Sequence, residues 1–310
     1  MQLKAEVVQL PSLGIGCAAL SILSPDTGDE AAVEMLVGAY DSGVRYFDVA
    51  PLYGGGRGEV LLGTALAHFK QPVMVSTKVG YVGEIPYGGR LAHQDRQKNF
   101  SRAAIEQSVT TSLRRLKRDA IDVVFLHDPI ADLDGLSKEA LPALEDLLAQ
   151  GLIRGIGVGT TNVAAANAIL DRFAVSVMLL AGRFTLIDRS GEKVLERCRL
   201  TGVQLVVGGV FNSGLLAADQ PSAGANFDYA PAPLEMIRRA DAAQRLCLAA
   251  GIPLKAAAAQ FARRHPAVTT TLLGPRTLHE FNELMALLAL PITQSLWEDL
   301  DRRELWTLLQ

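Results

Sequence analysis

Short, almost uninterrupted apolar runs recur along the chain, separated by longer stretches in which apolar residues return at helical spacing. The runs are Ser12–Cys17, Val44–Asp48, Val73–Lys78, Ile121–His127, Ile153–Gly159, Val175–Ala181, Val203–Gly209 and Thr269–Leu273. Lacking polar alternation, they have the pattern of parallel strands covered on both faces. Between them, Asp29–Ser42, Gly58–Phe69, Ser101–Leu116, Ser137–Gln150, Val163–Arg172 and Glu192–Leu200 carry helical periodicity. Asp26 or Thr27 could cap the first of these helices and Ser101 heads the third, while Gly43, Gly151 and Gly202 stand where a left-handed residue ends a helix. Eight strands alternating with helices, without a Pro/Gly-rich linker, predict one α/β domain over residues 1–310, a (β/α)₈ TIM barrel. A doubly wound nucleotide-binding sheet fits less well, because Gly14-Ile15-Gly16-Cys17-Ala18-Ala19 lacks the third glycine of its phosphate loop.

Three stretches exceed ordinary connections: Gly80–Phe100, Val210–Pro233 and the tail from Pro291. In a barrel, the first two would be long carboxyl-face loops that shape a substrate site. Leu296, Trp297, Leu300, Leu305 and Trp306 give the tail an apolar face, expected to form a helix packed outside the barrel rather than a partner surface.

Composition narrows the function classes. The 310 residues are 49% hydrophobic and 20% charged, with 28 glycines, which suits a globular enzyme rich in tight turns. Thirty basic and 33 acidic residues give a formal charge of −3 without long runs of either sign, which argues against nucleic acid or an anionic membrane as partner. The N-terminal sequence lacks a signal-like apolar core, and no apolar run approaches the ~20 residues of a membrane helix. Cys17, Cys198 and Cys247 are far apart with no metal-ligand spacing, so reduced thiols, no metal and a cytoplasmic location are expected. Oligomeric state is not inferable from the sequence, although a homo-oligomer is compatible with it.

Candidate chemistry gathers at the predicted strand ends. The second run ends at Asp48, with Tyr53 five residues on in a glycine-rich turn; the third ends at Lys78 and the fourth at His127. Parallel strands would bring all four onto one face. A tyrosine hydroxyl ordinarily titrates near pH 10, too high for a base at neutral pH. A neighbouring ammonium would stabilise the phenolate, and Asp48 would keep that ammonium charged. Tyr53 could then exchange a proton while His127 orients the reacting oxygen, an arrangement suited to proton transfer coupled to hydride transfer at a carbonyl.

These residues resemble the aldo-keto reductase superfamily. Phe47–Gly54, FDVAPLYG, is similar to its FDTAxxYG signature, and Lys78 and His127 fall where its lysine and histidine stand. The resemblance covers essentially the whole chain. NFSRAAIEQSVTTSLRRLKRDAIDVVFLHDP, LLAGRFTLID and GGVFNSGLL are similar to a branch that includes L-fucose dehydrogenase, D-threo-aldose 1-dehydrogenase, L-galactose dehydrogenase and pyridoxal 4-dehydrogenase. It implies a nicotinamide cofactor, NAD or NADP, lying across the carboxyl face, and a sugar or carbonyl substrate. In the oxidising direction Tyr53 would accept the anomeric hydroxyl proton while hydride leaves C1, giving a lactone.

The resemblance also implies cofactor contacts. Gly16, Cys17 and Asp48 border the cofactor, Thr161 or Asn162 holds the carboxamide, and Gly209, Phe211, Asn212 and Ser213 form the pyrophosphate loop. Phe184 or Phe211 would replace the stacking aromatic that the family often has where Gly208-Gly209 stand. Gly274, Arg276 and Glu280 lead into a helix N-terminus near the adenosine, where Glu280 favours NAD and Arg276 favours a 2′-phosphate; the balance leans to NAD. An NADPH-dependent aldehyde reductase, and less readily a cofactor-sensing protein without turnover, share this residue set.

Overall fold

A computed structural model describes residues 9–20, 28–83, 97–129, 133–218, 220–221, 224–228 and 230–302. Eight parallel strands close into a barrel: β1 (Leu13–Gly16), β2 (Tyr46–Asp48), β3 (Met74–Val79), β4 (Val123–His127), β5 (Ile156–Thr160), β6 (Val177–Ala181), β7 (Gln204–Gly208) and β8 (Val268–Leu273). Each neighbours its sequence successor, and β8 returns to β1. All eight predicted runs become strands; seven start one to three residues later than the run, and the eighth starts one residue earlier, at Val268. Ile121 and Ile153, which open two of the runs, meet instead in an isolated bridge.

The continuous apolar runs divide into two cores. Ile15, Phe47, Val75, Val124, Val158, Leu180 and Val207 point outward against the helices. Tyr46, Val123, Phe125, Val177, Leu179, Val206 and Leu272 fill the barrel interior. Alternation along each strand thus assigns every residue to one core or the other. Within the interior, Gly14 and Gly157 exist because of their neighbours. A Cβ on Gly14 would lie 2.7 Å from the Tyr46 ring, and one on Gly157 would lie 2.6 Å from Phe125.

The outer helices are α1 (Asp29–Asp41), α2 (Arg57–Leu66), α3 (Arg102–Leu116), α4 (Leu141–Ala149), α5 (Val163–Arg172), α6 (Glu192–Thr201), α7 (Leu234–Ala249), α8 (Leu254–Phe261), α9 (Leu278–Ala289) and α10 (Gln294–Asp301). Ser101 caps α3 by accepting from the Ala104 N–H, and Gly202 ends α6 at φ 73°. Residues 26 and 27, expected to cap α1, lie outside the described residues; its N-cap is Gly28, which makes no side-chain cap. Helical periodicity misses α7 and α8 for a physical reason. Helix α7 buries a narrow seam of Ala240, Ala243 and Cys247, and α8 buries Ala256 to Ala259 on every side, so small alanines rather than large apolar residues carry the contact.

Both long carboxyl-face stretches contain small hairpins, Tyr81–Val82 with Gln97–Lys98 and Asn226–Phe227 with Ala230–Pro231. The tail forms α10, with Leu296, Trp297 and Leu300 buried and the Arg264 guanidinium 4.1 Å from the Trp297 ring centroid. Leu305 and Trp306 lie outside the described residues. Among the described residues, no helix is long and apolar enough to cross a membrane.

The interior packing yields a test. Gly157→Ala should destabilise the barrel by about 1–3 kcal/mol through overpacking against Phe125, read as a lower urea midpoint at unchanged slope. Adding Phe125→Leu should recover part of that loss; strictly additive losses would show that the aromatic does not impose the glycine.

Candidate active site

Alternation carries three strand side chains to the carboxyl mouth, and the β2–α2 connection adds a fourth. Asp48 is the last residue of β2 and Lys78 the penultimate residue of β3, both pointing inward; His127 ends β4. Asp48 and Lys78 are 3% and 2% exposed, so neither charge is left to water. Lys78 Nζ donates to Asp48 Oδ2 at 2.6 Å and to the Val49 carbonyl at 2.9 Å. The remaining carboxylate oxygen, Asp48 Oδ1, accepts from Ser76 Oγ at 2.6 Å. Because Ser76 gives its proton to the carboxylate, the Tyr46 hydroxyl, 2.9 Å from Ser76 Oγ, is the donor in that second bond. Burial, with Asp48 nearby, pushes the Tyr46 phenol well above its ordinary pKa, so it remains a donor.

Tyr46 and Ser76 are absent from the sequence-based site. The signal was available: they precede Asp48 and Lys78 by two positions and therefore share their face.

Tyr53 reaches the cluster from the β2–α2 connection. Lys78 Nζ lies 4.8 Å from the Tyr53 ring centroid, and the His127 ring meets Tyr53 edge-on at 6.2 Å between centroids. The turn after Tyr53 runs through Gly54, Gly55 and Gly56, all at positive φ, a path other residues take only under strain. Arg115 of α3 packs against it, since a Cβ on Gly56 would lie 2.3 Å from the guanidinium carbon. Arg115 is held by Glu59 at 3.1 Å, and the fully buried Glu59 also accepts from Thr77 Oγ1 at 2.7 Å. The loop carrying Tyr53 is thereby tied to β3, the strand that supplies Lys78.

His127 packs edge-on against Tyr81 of the first hairpin at 4.9 Å, and its Nε2 lies 3.9 Å from Asp128 Oδ2. Asp128, at φ 45°, accepts from the Tyr81 hydroxyl at 3.3 Å and the Thr161 N–H at 3.2 Å, while its carbonyl takes Lys98 Nζ at 2.5 Å. Burial lowers the Lys98 pKa against the opposing pull of Asp128. Tyr81, Lys98 and Asp128 also line a cavity of about 470 Å³ with Thr160, Thr161 and the first turns of α5. Sequence reasoning passed over Tyr81 and Lys98 because their hairpin is too short to show a pattern.

The remaining strands present almost no side chain to the mouth. Their uppermost inward positions are Gly159 on β5, Ala181 on β6, Gly208 on β7, Gly274 just beyond β8 and Gly16 on β1. A Cβ on Gly16, Gly159, Gly208 or Gly274 would meet nothing closer than 3.8, 3.6, 3.9 and 3.4 Å, respectively. Unlike Gly14 and Gly157 one layer below, these glycines are not imposed by crowding. Opposite the charged half they define a hollow into which none of these strand ends projects a side chain beyond Cβ.

Other expected contacts are distributed unevenly around that hollow. Gly16 borders it, whereas the Cys17 side chain turns into the outer core with its thiol pKa pushed far up by burial and Asp48. Cys17 contributes its N–H to the Asp48 carbonyl at 2.8 Å. Thr161 and Asn162 lie beyond the outward-facing Thr160; Asn162 Oδ1 accepts from the Ala165 N–H at 3.0 Å and caps α5. Phe184 is a core residue, its ring 5.1 Å from Phe261 and 5.3 Å from His265, so it does not serve as the stacking aromatic. Phe211 remains half-buried at the turn after β7. In that turn Gly209, Asn212 and Ser213 all have positive φ, and the buried Asn212 Oδ1 has no hydrogen-bond partner. Such an orphaned acceptor beside a side-chain-free hollow fits a bound nicotinamide cofactor. At β8, Gly274 is exposed, and Arg276 and Glu280 bond to each other through both side chains and through the Arg276 N–H at 2.8 Å. Thr277 Oγ1 accepts from the Glu280 N–H at 3.1 Å, completing a reciprocal cap at the start of α9.

Comparison with known proteins agrees with this geometry. The Aldo/keto reductase family profile matches residues 12–304. Pyridoxal 4-dehydrogenase of Microbacterium luteolum is 34% identical over 93% of this chain and 92% of its own length. D-threo-aldose 1-dehydrogenase of a Pseudomonas species is 32% identical over 94% and 93% of the two chains. Among solved structures, the holo form of aldo-keto reductase AKR11C1 from Bacillus halodurans superposes with a TM-score of 0.76 at 26% identity, covering 95% of this chain and 91% of that one. With its closed parallel barrel and its match along nearly the whole sequence, the chain belongs to the aldo/keto reductase family and is an NAD(P)-dependent oxidoreductase.

Proposed function

We propose that this enzyme oxidises C1 of an aldose, or of a comparable cyclic hemiacetal, to the lactone, with residues 1–310 working as one catalytic domain. The observation that carries the reading is the division of the mouth: Asp48, Lys78, Tyr53 and His127 converge on one half, and Gly16, Gly159, Ala181, Gly208 and Gly274 present nothing beyond Cβ on the other. The names of two relatives that match over more than nine-tenths of this chain, a pyridoxal and an aldose dehydrogenase, support oxidation of a small oxygenated ring. L-Fucose and D-arabinose are the first aldoses to test.

Bound in the hollow, the nicotinamide ring would supply the hydride acceptor. Gly16 and Gly274 would let it approach the β1 and β8 ends, and the turn at Gly209, Phe211 and Ser213 would hold the pyrophosphate. Tyr53 takes the proton of the anomeric hydroxyl as hydride leaves C1. Lys78, with its ammonium 4.8 Å from the phenol ring centroid, favours the oxyanion form of Tyr53 during that transfer. Asp48 holds Lys78 in place, and His127 orients the substrate oxygen.

The adenosine end favours NAD. Arg276 is the cation nearest the expected ribose in this reading, and it is already neutralised by Glu280. A 2′-phosphate would have to compete with that carboxylate.

Four outcomes test the proposal. In a screen of aldoses and pyridoxal with NAD and NADP in parallel, at least one aldose should drive NADH formation; aldehyde reduction with no sugar-dependent reaction would overturn it. Tyr53→Phe should lower kcat by about 10²–10⁴-fold with cofactor Kd within about threefold, and Lys78→Met should likewise depress kcat and alter the pH–rate profile. Near-normal turnover in Tyr53→Phe, or an unchanged profile in Lys78→Met, would remove those residues from the proton path. Glu280→Ala should release Arg276 and shift the NADP-to-NAD ratio of kcat/KM upward by about tenfold, the worth of one charge-assisted hydrogen bond; an unchanged ratio would count against the assignment.

A further inference from the structure

We infer that the side chain of Asn212 reads the carboxamide of the nicotinamide, its Oδ1 accepting from the carboxamide NH₂. The inference rests on the oxidoreductase reading above and assigns a contact that the sequence places elsewhere, at Thr161 or Asn162. Asn162 spends its Oδ1 on capping α5, and both residues line the cavity shared by Tyr81, Lys98 and the first turns of α5. The hollow itself carries no polar side chain at its five uppermost inward positions, Gly159, Ala181, Gly208, Gly274 and Gly16.

Asn212 stands over the ends of the two strands flanking that gap. Its Nδ2 donates to the Gly182 carbonyl at 3.4 Å, and the Gly182 N–H donates to Gly208 at 2.9 Å. Gly182 directly follows Ala181, which pairs in register with Gly208. Since a carbonyl only accepts, the bond to Gly182 fixes Nδ2 on that side and leaves Oδ1 over. Asn212 is 3% exposed, and its Oδ1 has no donor. A buried acceptor without a donor is costly enough to demand an explanation. A phosphate cannot provide it, because two acceptor oxygens repel each other. A primary amide can, and the carboxamide is the amide carried by the ring that the side-chain-free half would receive. The backbone fits this use: Asn212 at φ 46° and Ser213 at φ 58° bend the chain so that residue 212 turns back toward β6.

The test compares NADH with reduced 3-acetylpyridine adenine dinucleotide, in which a methyl replaces the carboxamide NH₂. Dissociation constants are measured by calorimetry on the intact enzyme, so the readout does not depend on turnover or on the identity of the sugar. Wild type should bind NADH about tenfold more tightly than the analogue, as one well-made hydrogen bond to a buried acceptor predicts. Asn212→Gly, which tolerates the positive φ, should weaken NADH by about that factor while leaving the analogue within about twofold. Asn212→Asp keeps an acceptor and should retain the preference for the carboxamide. Equal weakening of both ligands in Asn212→Gly, no weakening of either, or no preference in wild type would overturn the inference. If these ratios hold but no aldose is oxidised, the contact stands and the substrate reading falls.

Discussion

The ion pair between Asp48 and Lys78 is the constraint on which the site depends. Both groups are almost completely removed from water, and their desolvation is tolerable only because each polar atom has a defined partner. Removing one member of such a pair would leave a buried charge, typically worth about 3–5 kcal/mol. The pair therefore determines which side chains can share the top of β2 and β3. Ser76 has to be a donor to Asp48 Oδ1, and the residue behind it has to be a donor to Ser76, a place filled by Tyr46. That chain of donors runs down into the aromatic interior, where Tyr46 in turn excludes a side chain from position 14. Chemistry at the mouth and packing in the core are thus joined by one hydrogen-bonded line.

The same pair positions the loop beyond it. Lys78 lies over Tyr53, and the next layer outward repeats the principle with Glu59, Thr77 and Arg115. Thr77 and Lys78 are consecutive on β3 and face opposite ways, so one strand holds the phenol from within and fastens its loop from without. Three glycines at positive φ allow the chain to reverse between these two supports. A bulkier turn could neither follow that path nor admit the Arg115 guanidinium against Gly56.

What was legible in the sequence follows from how each feature is encoded. The barrel was legible because parallel strands buried on both faces appear as apolar runs whatever their neighbours are. Asp48, Lys78 and His127 were legible because a charge or imidazole ending such a run is conspicuous. Tyr46 and Ser76 were not, since each is unremarkable alone and acquires meaning only when strand alternation puts it beneath a charged group. Helices α7 and α8 escaped notice because their buried faces are built mostly from alanine, a small residue that does not stand out as core. Phe184 was out of reach for a related reason: it follows a strand end, yet its ring packs in the core against Phe261 and His265, and composition does not encode which way a residue after a strand turns.

The open half of the mouth shows why reading glycines one at a time is insufficient. Gly14 and Gly157 are small because an aromatic occupies the space, whereas Gly16, Gly159, Gly208 and Gly274 are small with nothing protein-derived in contact shorter than ordinary van der Waals distance. The first kind is a packing requirement that any residue pair of matching volume could satisfy. The second kind is not forced by a close neighbour, since a Cβ there would make only ordinary contacts. Set against a charged half that is fully bonded, an unfilled half with one orphaned amide oxygen at its edge gives the barrel a chemical direction. On the proposed reading, hydride moves across the boundary between the halves while the proton stays on the charged side. The two transfers can then be concerted without sharing a path.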